Sequence, residues 1–149
     1  MKKRACMFCG HRYVVNWTKL HKKVTSMAID LIKNKGVNVF YLSDTAGIND
    51  VCSFALKVLS LNYPNIKTYV VIPRVTKRNM KPPLYYYFMF DGVIDLDLKD
   101  KYYKDAVMKS NEWMVDNSDY IITHMHMNYG RAYKILKYGK EKEKQIIRI

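Results

Sequence analysis

The sequence predicts an α/β fold in three layers, a mostly parallel sheet flanked by helices. Three observations predict it. Short apolar runs alternate with stretches of helical length along the whole chain. The helical stretches carry apolar residues at three- and four-residue spacing, which gives each one buried face. The strand-length runs are apolar almost throughout, and a strand without a polar face belongs in a parallel sheet covered on both sides.

Residues 3–9 are the first buried strand, ending at Gly10-His11-Arg12. Trp17, Leu20, Val24, Met27, Ala28, Leu31 and Ile32 then recur with helical period, lysines fall largely on the other side, and Gly36 stands where a helix ends in glycine. β-Branched and aromatic residues fill 37–42, the second strand, which runs into Ser43-Asp44-Thr45-Ala46-Gly47. A helix over 48–61 turns Val51, Phe54, Ala55, Val58 and Leu59 inward, Tyr63-Pro64-Asn65 turns the chain, and 66–72 is the third strand. Residues 73–83 form a basic loop carrying Arg74, Lys77, Arg78 and Lys81. The aromatic segment 84–90 suits a short buried helix or a dimer contact, with base stacking by its tyrosines as the other reading. Acidic residues alternate through 93–98, a fourth strand suited to a sheet edge. A helix over 102–117, a strand over 120–124, a helix over 129–140 and a closing strand over 145–149 complete one domain, 1–149, without repeats or linkers.

The formal charge of +13 draws nucleic acid, anionic nucleotides or acidic surfaces without choosing among them, and a lysine-rich solvated surface accounts for it as well. Three cysteines, an odd number, argue against a disulfide framework. Cys6 and Cys9 form a CxxC near His11, but a strand puts residues three apart on opposite faces and no second ligand pair follows, so no metal is predicted there. No apolar run approaches the roughly 20 residues of a membrane span. The start, Met1-Lys2-Lys3-Arg4, leads into a run too short and polar for a signal peptide, so the chain reads as cytoplasmic with no membrane partner.

In open α/β sheets the binding crevice lies beyond the carboxyl ends of the strands. His11 and Arg12 after the first strand and Arg74 after the third fall there. Phosphate is held by backbone N–H groups at a helix N-terminus, helped by glycine and by basic side chains. Two turns have that placement: Ser43-Asp44-Thr45 with Gly47, and Asn128-Tyr129-Gly130-Arg131. His124, His126 and Asn128 alternate beyond the fifth strand, where they suit a pocket wall, a metal or a plain exposed turn.

Asn111-Glu112-Trp113-Met114-Val115-Asp116-Asn117-Ser118-Asp119 followed by an apolar strand, together with Gly10-His11-Arg12, resembles the YpsA-like branch of the SLOG superfamily. That group includes the DprA/Smf proteins and the Lonely Guy phosphoribohydrolases; its motifs here are an Arg-Asn-x-x-Met-Val-Asp-x-Ser-Asp helix end, a Gly-Gly-Thr turn and Gly-His-Arg. The resemblance implies a single Rossmann-like domain, a homodimer, and ligand contacts from Gly10 and Asn111. Both phosphate turns depart from the branch: Asp44-Thr45-Ala46 stands where glycines are usual, with Gly47 one position away and Asp50 in place, and Tyr129-Gly130-Arg131 replaces Gly-Gly-Thr. Asp44 repels phosphate and Tyr129 crowds it, whereas Arg131 restores attraction. The hydrolase arginine falls at Ser110, beside Lys109, and the hydrolase glutamate falls near Lys134.

Glycosidic cleavage needs a carboxylate, and Asp50 and Glu112 are weak candidates beside Asp44. The leading expectation is therefore binding, by sensing or sequestration, of a nucleotide-derived and phosphate-bearing small molecule such as an ADP-ribose-like compound, without a cofactor or efficient hydrolysis. The alternatives are a nucleotide N-glycosidase or deoxyribosyl transferase, and single-stranded nucleic-acid binding. The dimer contact is expected at 85–90.

Overall fold

Six strands form one all-parallel sheet in this computed structural model, which describes residues 2–45, 47–76 and 88–149. They are Ala5–Gly10 (β1), Val39–Ser43 (β2), Lys67–Ile72 (β3), Gly92–Asp95 (β4), Tyr120–His124 (β5) and Gln145–Arg148 (β6), in the spatial order β4-β3-β2-β1-β5-β6. Trp17–Lys35 (α1) and Ile48–Asn62 (α2) pack together on one face. Tyr103–Asp116 (α3) and Arg131–Glu141 (α4) cover the other, which completes a Rossmann-like three-layer domain. The chain steps outward from β1 to β2, β3 and β4 on one side, then returns to lay β5 on the other flank of β1. The strand order reverses between β1 and β5, so the crevice expected at such a switch opens above these two strands.

The sheet divides the core by alternation along each strand. Cys6, Phe8, Phe40, Leu42, Val70 and Ile122 join Leu20, Val24, Leu31, Val51 and Leu56 beneath α1 and α2. Met7, Cys9, Tyr41, Val71 and Ile121 join Met114, Val115 and Ile135 on the opposite face. Cys6 and Cys9 therefore point to different faces, and the CxxC does not assemble as a pair.

Local signals set the element ends. The Asn16 carboxamide accepts from the Lys19 N–H at 3.0 Å to cap α1, and Gly36 closes it at φ 70°. Arg4 donates to the Lys35 carbonyl at 2.9 Å and ties that helix end to the start of β1. Asp119 accepts from the Ala5 N–H at 2.9 Å while its own N–H donates to the Ala5 carbonyl at 2.8 Å. The Ser-Asp that precedes the fifth strand thus aligns β5 with β1. Asp91 serves β3 in the same way, accepting from the Thr68 N–H at 2.7 Å and its hydroxyl at 3.2 Å.

The outcome differs from the sequence expectation in places. Trp17, expected inward, is 45% exposed, and Phe54 and Val58 are 51% and 57% exposed, because the buried stripe of α2 passes through Val51, Cys52, Ala55, Leu56 and Leu59 instead. The fourth strand ends at Asp95, since Asp97 turns to φ 54°. The last helix begins at Arg131 rather than at 129. Ala46, Lys77, Arg78, Lys81, Leu84 and the tyrosines 85–87 lie outside the described residues; of the segment that follows, Phe88 is exposed while Met89 and Phe90 are buried.

Candidate functional site

A cavity of about 610 Å³ opens at the carboxyl ends of the strands, on the α3–α4 side of the sheet. Each wall comes from a different element. Phe8 to Arg12 continue β1, Ser43 to Thr45 continue β2, Val71 and Pro73 end β3, Tyr103 to Asn111 descend α3, and Arg131, Ala132 and Ile135 open α4.

Glycine is required where the strands converge. A Cβ on Gly10 would lie 2.8 Å from the His124 carbonyl oxygen, so only glycine lets β1 run this close to β5. Gly47 adopts φ 96°, and a Cβ there would meet the carbonyl oxygens of His11 and Arg12, each at 2.6 Å. The turn before α2 is thus packed directly on the loop after β1. Asn49 knits the same turn: it accepts from the Ser43 N–H at 3.1 Å and donates to the Thr45 hydroxyl at 3.2 Å, and the Ser43 and Thr45 hydroxyls bond at 2.7 Å. Asp50 accepts from the Gly47 N–H at 3.2 Å and caps α2.

The structure brings Gly10, His11, Arg12, Ser43, Asp44, Thr45, Asn111 and Arg131 to one cavity. It leaves four other expected positions off its lining. Gly47 stands behind the wall; Asn128 and Gly130 are exposed on the approach to α4. Arg74 turns away, donating to the carbonyls of Leu98, Lys99 and Lys101 at 3.1, 3.2 and 2.6 Å and lying 5.4 Å from the Tyr103 ring centroid. It anchors the segment before α3. Of the carboxylates weighed for catalysis, Asp50 is the helix cap, Glu112 pairs with Lys109 at 3.0 Å, and neither lines the cavity. Asp44 does.

Lys104, Tyr103, Asn49, Val107, Ala132 and Ile135 also line the cavity and escaped the sequence reading. Their only signal was position near a helix N-terminus, which becomes informative once the helices are known to converge.

Charge and polarity are graded along the cavity. Arg12, Lys104 and Arg131 are exposed at its mouth. Deeper, the side chains of Cys9, Val71, Ala132 and Ile135 are buried and apolar. The Cys9 thiol donates to the Ala132 carbonyl at 3.2 Å, and burial pushes its pKa up to about 12. It is therefore a neutral wall group and no nucleophile at physiological pH. Such an arrangement holds an anionic group at the entrance and a less polar one inside.

Three histidines stand beside the site. His11 Nε2 accepts from the Met127 N–H at 3.2 Å, which leaves the proton of the neutral ring on Nδ1. The His124 Nδ1 donates to the Ile149 carbonyl at 2.9 Å, and the His126 ring lies between the two, 6.4 Å from His11 and 4.6 Å from His124. Among the described residues no group of three or more His, Cys, Asp or Glu side chains has a geometry that could hold a metal ion. Nor is any described helix long and apolar enough to cross a membrane.

No protein-family model and no curated protein matches the chain. Solved structures do match. One, the DNA processing protein A of Helicobacter pylori, studied for its single-stranded DNA binding mode, superposes with a TM-score of 0.70 at 12% identity, over 97% of this chain and 64% of that one. The chain thus spans a little under two thirds of that protein's length. The likeness is one of fold, and places this chain among Rossmann-like domains related in architecture to DNA processing protein A.

Proposed function

We propose that the chain binds a nucleotide-derived, phosphate-bearing small molecule in this cavity, sensing or sequestering it in the manner of the YpsA-like SLOG branch without efficient hydrolysis. The observation that carries this reading is the ring of His11, Arg12, Lys104 and Arg131 around a cavity at the strand carboxyl ends. Arg131 opens α4, where the helix dipole adds to its charge. The absence of turnover rests on the positions of Asp50 and Glu112, which leave Asp44 as the carboxylate facing a bound ligand among the described residues.

The test is mass spectrometry of small molecules released on denaturing the freshly purified protein, followed by a melting-temperature screen with a broad nucleotide panel. A stoichiometric nucleotide derivative, or a rise in melting temperature with one class of nucleotide, is expected. If neither occurs, the proposal fails. If a released base accumulates on incubation with nucleoside monophosphates and Asp44→Asn abolishes it, the glycosidase or deoxyribosyl transferase alternative is correct instead.

A second reading is single-stranded nucleic-acid binding, favoured by the structural neighbour and by the net charge of +13. Retention of a labelled oligonucleotide that depends on Arg12 and Arg131 would support it, whereas binding that vanishes at moderate salt in wild type and variants alike would be generic electrostatics. The proposal includes a cytoplasmic homodimer joined through 85–90; a monomeric mass by light scattering would remove the dimer.

A further inference from the structure

Ser110 and Asn111 are among the most deeply buried polar residues of the chain, 2% and 6% exposed, and both line the cavity. Neither side chain pairs with another group among the described residues, and neither is among the polar atoms sealed from solvent, so both present their polar atoms to the open cavity. Polar groups that face an open cavity are satisfied by water until a ligand supplies a better-placed partner. Asn49, also on the lining, is by contrast engaged within the protein through both its amide oxygen and its nitrogen.

Their position along α3 sets what would pair with them. Lys104 lies in the first turn of this helix at the cavity mouth, and Asn111 comes seven residues later, about 10 Å further along the axis. Between them the lining is Val107, faced by Val71, Ala132 and Ile135. An exposed cationic mouth, an apolar middle and an unpaired amide at depth follow one another over a span that a mononucleotide bridges from phosphate to base edge.

We infer that the ligand enters base first: its nucleobase lies against Val71, Val107 and Ile135 with its edge on the Asn111 amide and the Ser110 hydroxyl, and its phosphate stays at Arg12, Lys104 and Arg131. A carboxamide offers a donor and an acceptor side by side, the complement of the amino group and adjacent ring nitrogen of adenine. Nucleotides of bases that present this pair, adenine first and cytosine with it, are therefore the preferred class, and Asn111 is the residue that reads the base. This inference rests on the nucleotide-binding reading and adds orientation and base preference to it.

The test is titration calorimetry with AMP, inosine 5′-monophosphate and ribose 5-phosphate on the wild type, Asn111→Leu, Ser110→Ala and Arg131→Ala, with the melting temperature of each free variant. Wild type should bind AMP at least tenfold more tightly than the other two. Asn111→Leu, of similar volume, should weaken AMP tenfold or more and leave ribose 5-phosphate unchanged, with Ser110→Ala a smaller copy; Arg131→Ala should weaken all three. The free Asn111→Leu protein should melt no lower than wild type, because it loses an unpaired amide, whereas a structural asparagine would lower the melting temperature. If AMP binds and Asn111→Leu leaves its affinity intact, the orientation is wrong while the nucleotide reading stands. If none of these compounds and no member of the nucleotide panel binds, the nucleotide reading fails and takes this inference with it.

Discussion

Gly47→Ala tests how the site is built. Gly47 precedes α2 at φ 96° and ψ −123°, a conformation that costs an L-residue about 1–3 kcal/mol. Its added Cβ would also stand 2.6 Å from two backbone carbonyl oxygens, those of His11 and Arg12, which cannot rotate away like a side chain. Relieving such an overlap costs about another 1–3 kcal/mol. Loss of unfolded-state entropy returns about 0.4–1 kcal/mol. The expected net loss is about 1–5 kcal/mol, or roughly 3–15 °C in melting temperature at about 3 °C per kcal/mol for a domain of this size. Gly130→Ala is the control, since Gly130 has φ 92° but a Cβ added there would meet nothing within 4 Å, so only the conformational cost applies. Urea unfolding followed by the fluorescence of Trp17 and Trp113 measures both variants. If Gly47→Ala loses no more stability than Gly130→Ala, the turn before α2 does not brace the His11-Arg12 loop and the account of the site is wrong.

Three further outcomes follow. A Cβ on Gly139 would lie 2.5 Å from Ile121 Cδ1, the atom that Ile121→Val removes; in a double-mutant cycle, the usual cost of Ile121→Val, about 0.5–1.5 kcal/mol, should shrink or vanish in the Gly139→Ala background. Asp91→Ala strands the Thr68 N–H beside a largely buried residue and should cost about 1–3 kcal/mol in chemical denaturation, whereas Asp91→Asn should recover part of it. The buried thiols of Cys6, Cys9 and Cys52 are all pushed above their ordinary pKa of 9.0, that of Cys9 to about 12. They should resist a thiol reagent at pH 8 until the protein is denatured. Because the unfolded chain ionises its thiols first, stability should be fully present below about pH 9 and fall as pH rises towards 12, and replacing the cysteines by alanine should flatten that fall.

The sheet was legible because its strands are apolar on both faces and its helices carry one apolar stripe, so alternation and period each gave an independent signal. Exposed aromatics blurred the helix faces: Trp17 and Phe54 sit at helical spacing yet touch each other at the surface, with ring centroids 6.1 Å apart. Spacing reports period, not which side meets the sheet. Of the site, the residues directly after β1 and β2 were readable because the crevice rule names strand ends. Lys104, Val107 and Ile135 were not, since their place in the cavity depends on how α3 and α4 lie over the sheet. Arg74 satisfied the same rule and yet lies off the cavity lining. Three carbonyls within reach bind its guanidinium, a local competition that no strand pattern reveals.

The central claim, that the cavity and not the overall charge holds the ligand, is tested most directly by comparing two doubly substituted proteins of equal net charge. Arg12→Ala with Arg131→Ala removes two cations from the cavity mouth, and Lys3→Ala with Lys142→Ala removes two from the opposite end of the sheet. Affinity is measured for the compound released from the purified protein, or for AMP if none is released. The account predicts at least a tenfold loss for the first protein and less than twofold for the second; equal losses in both would contradict it.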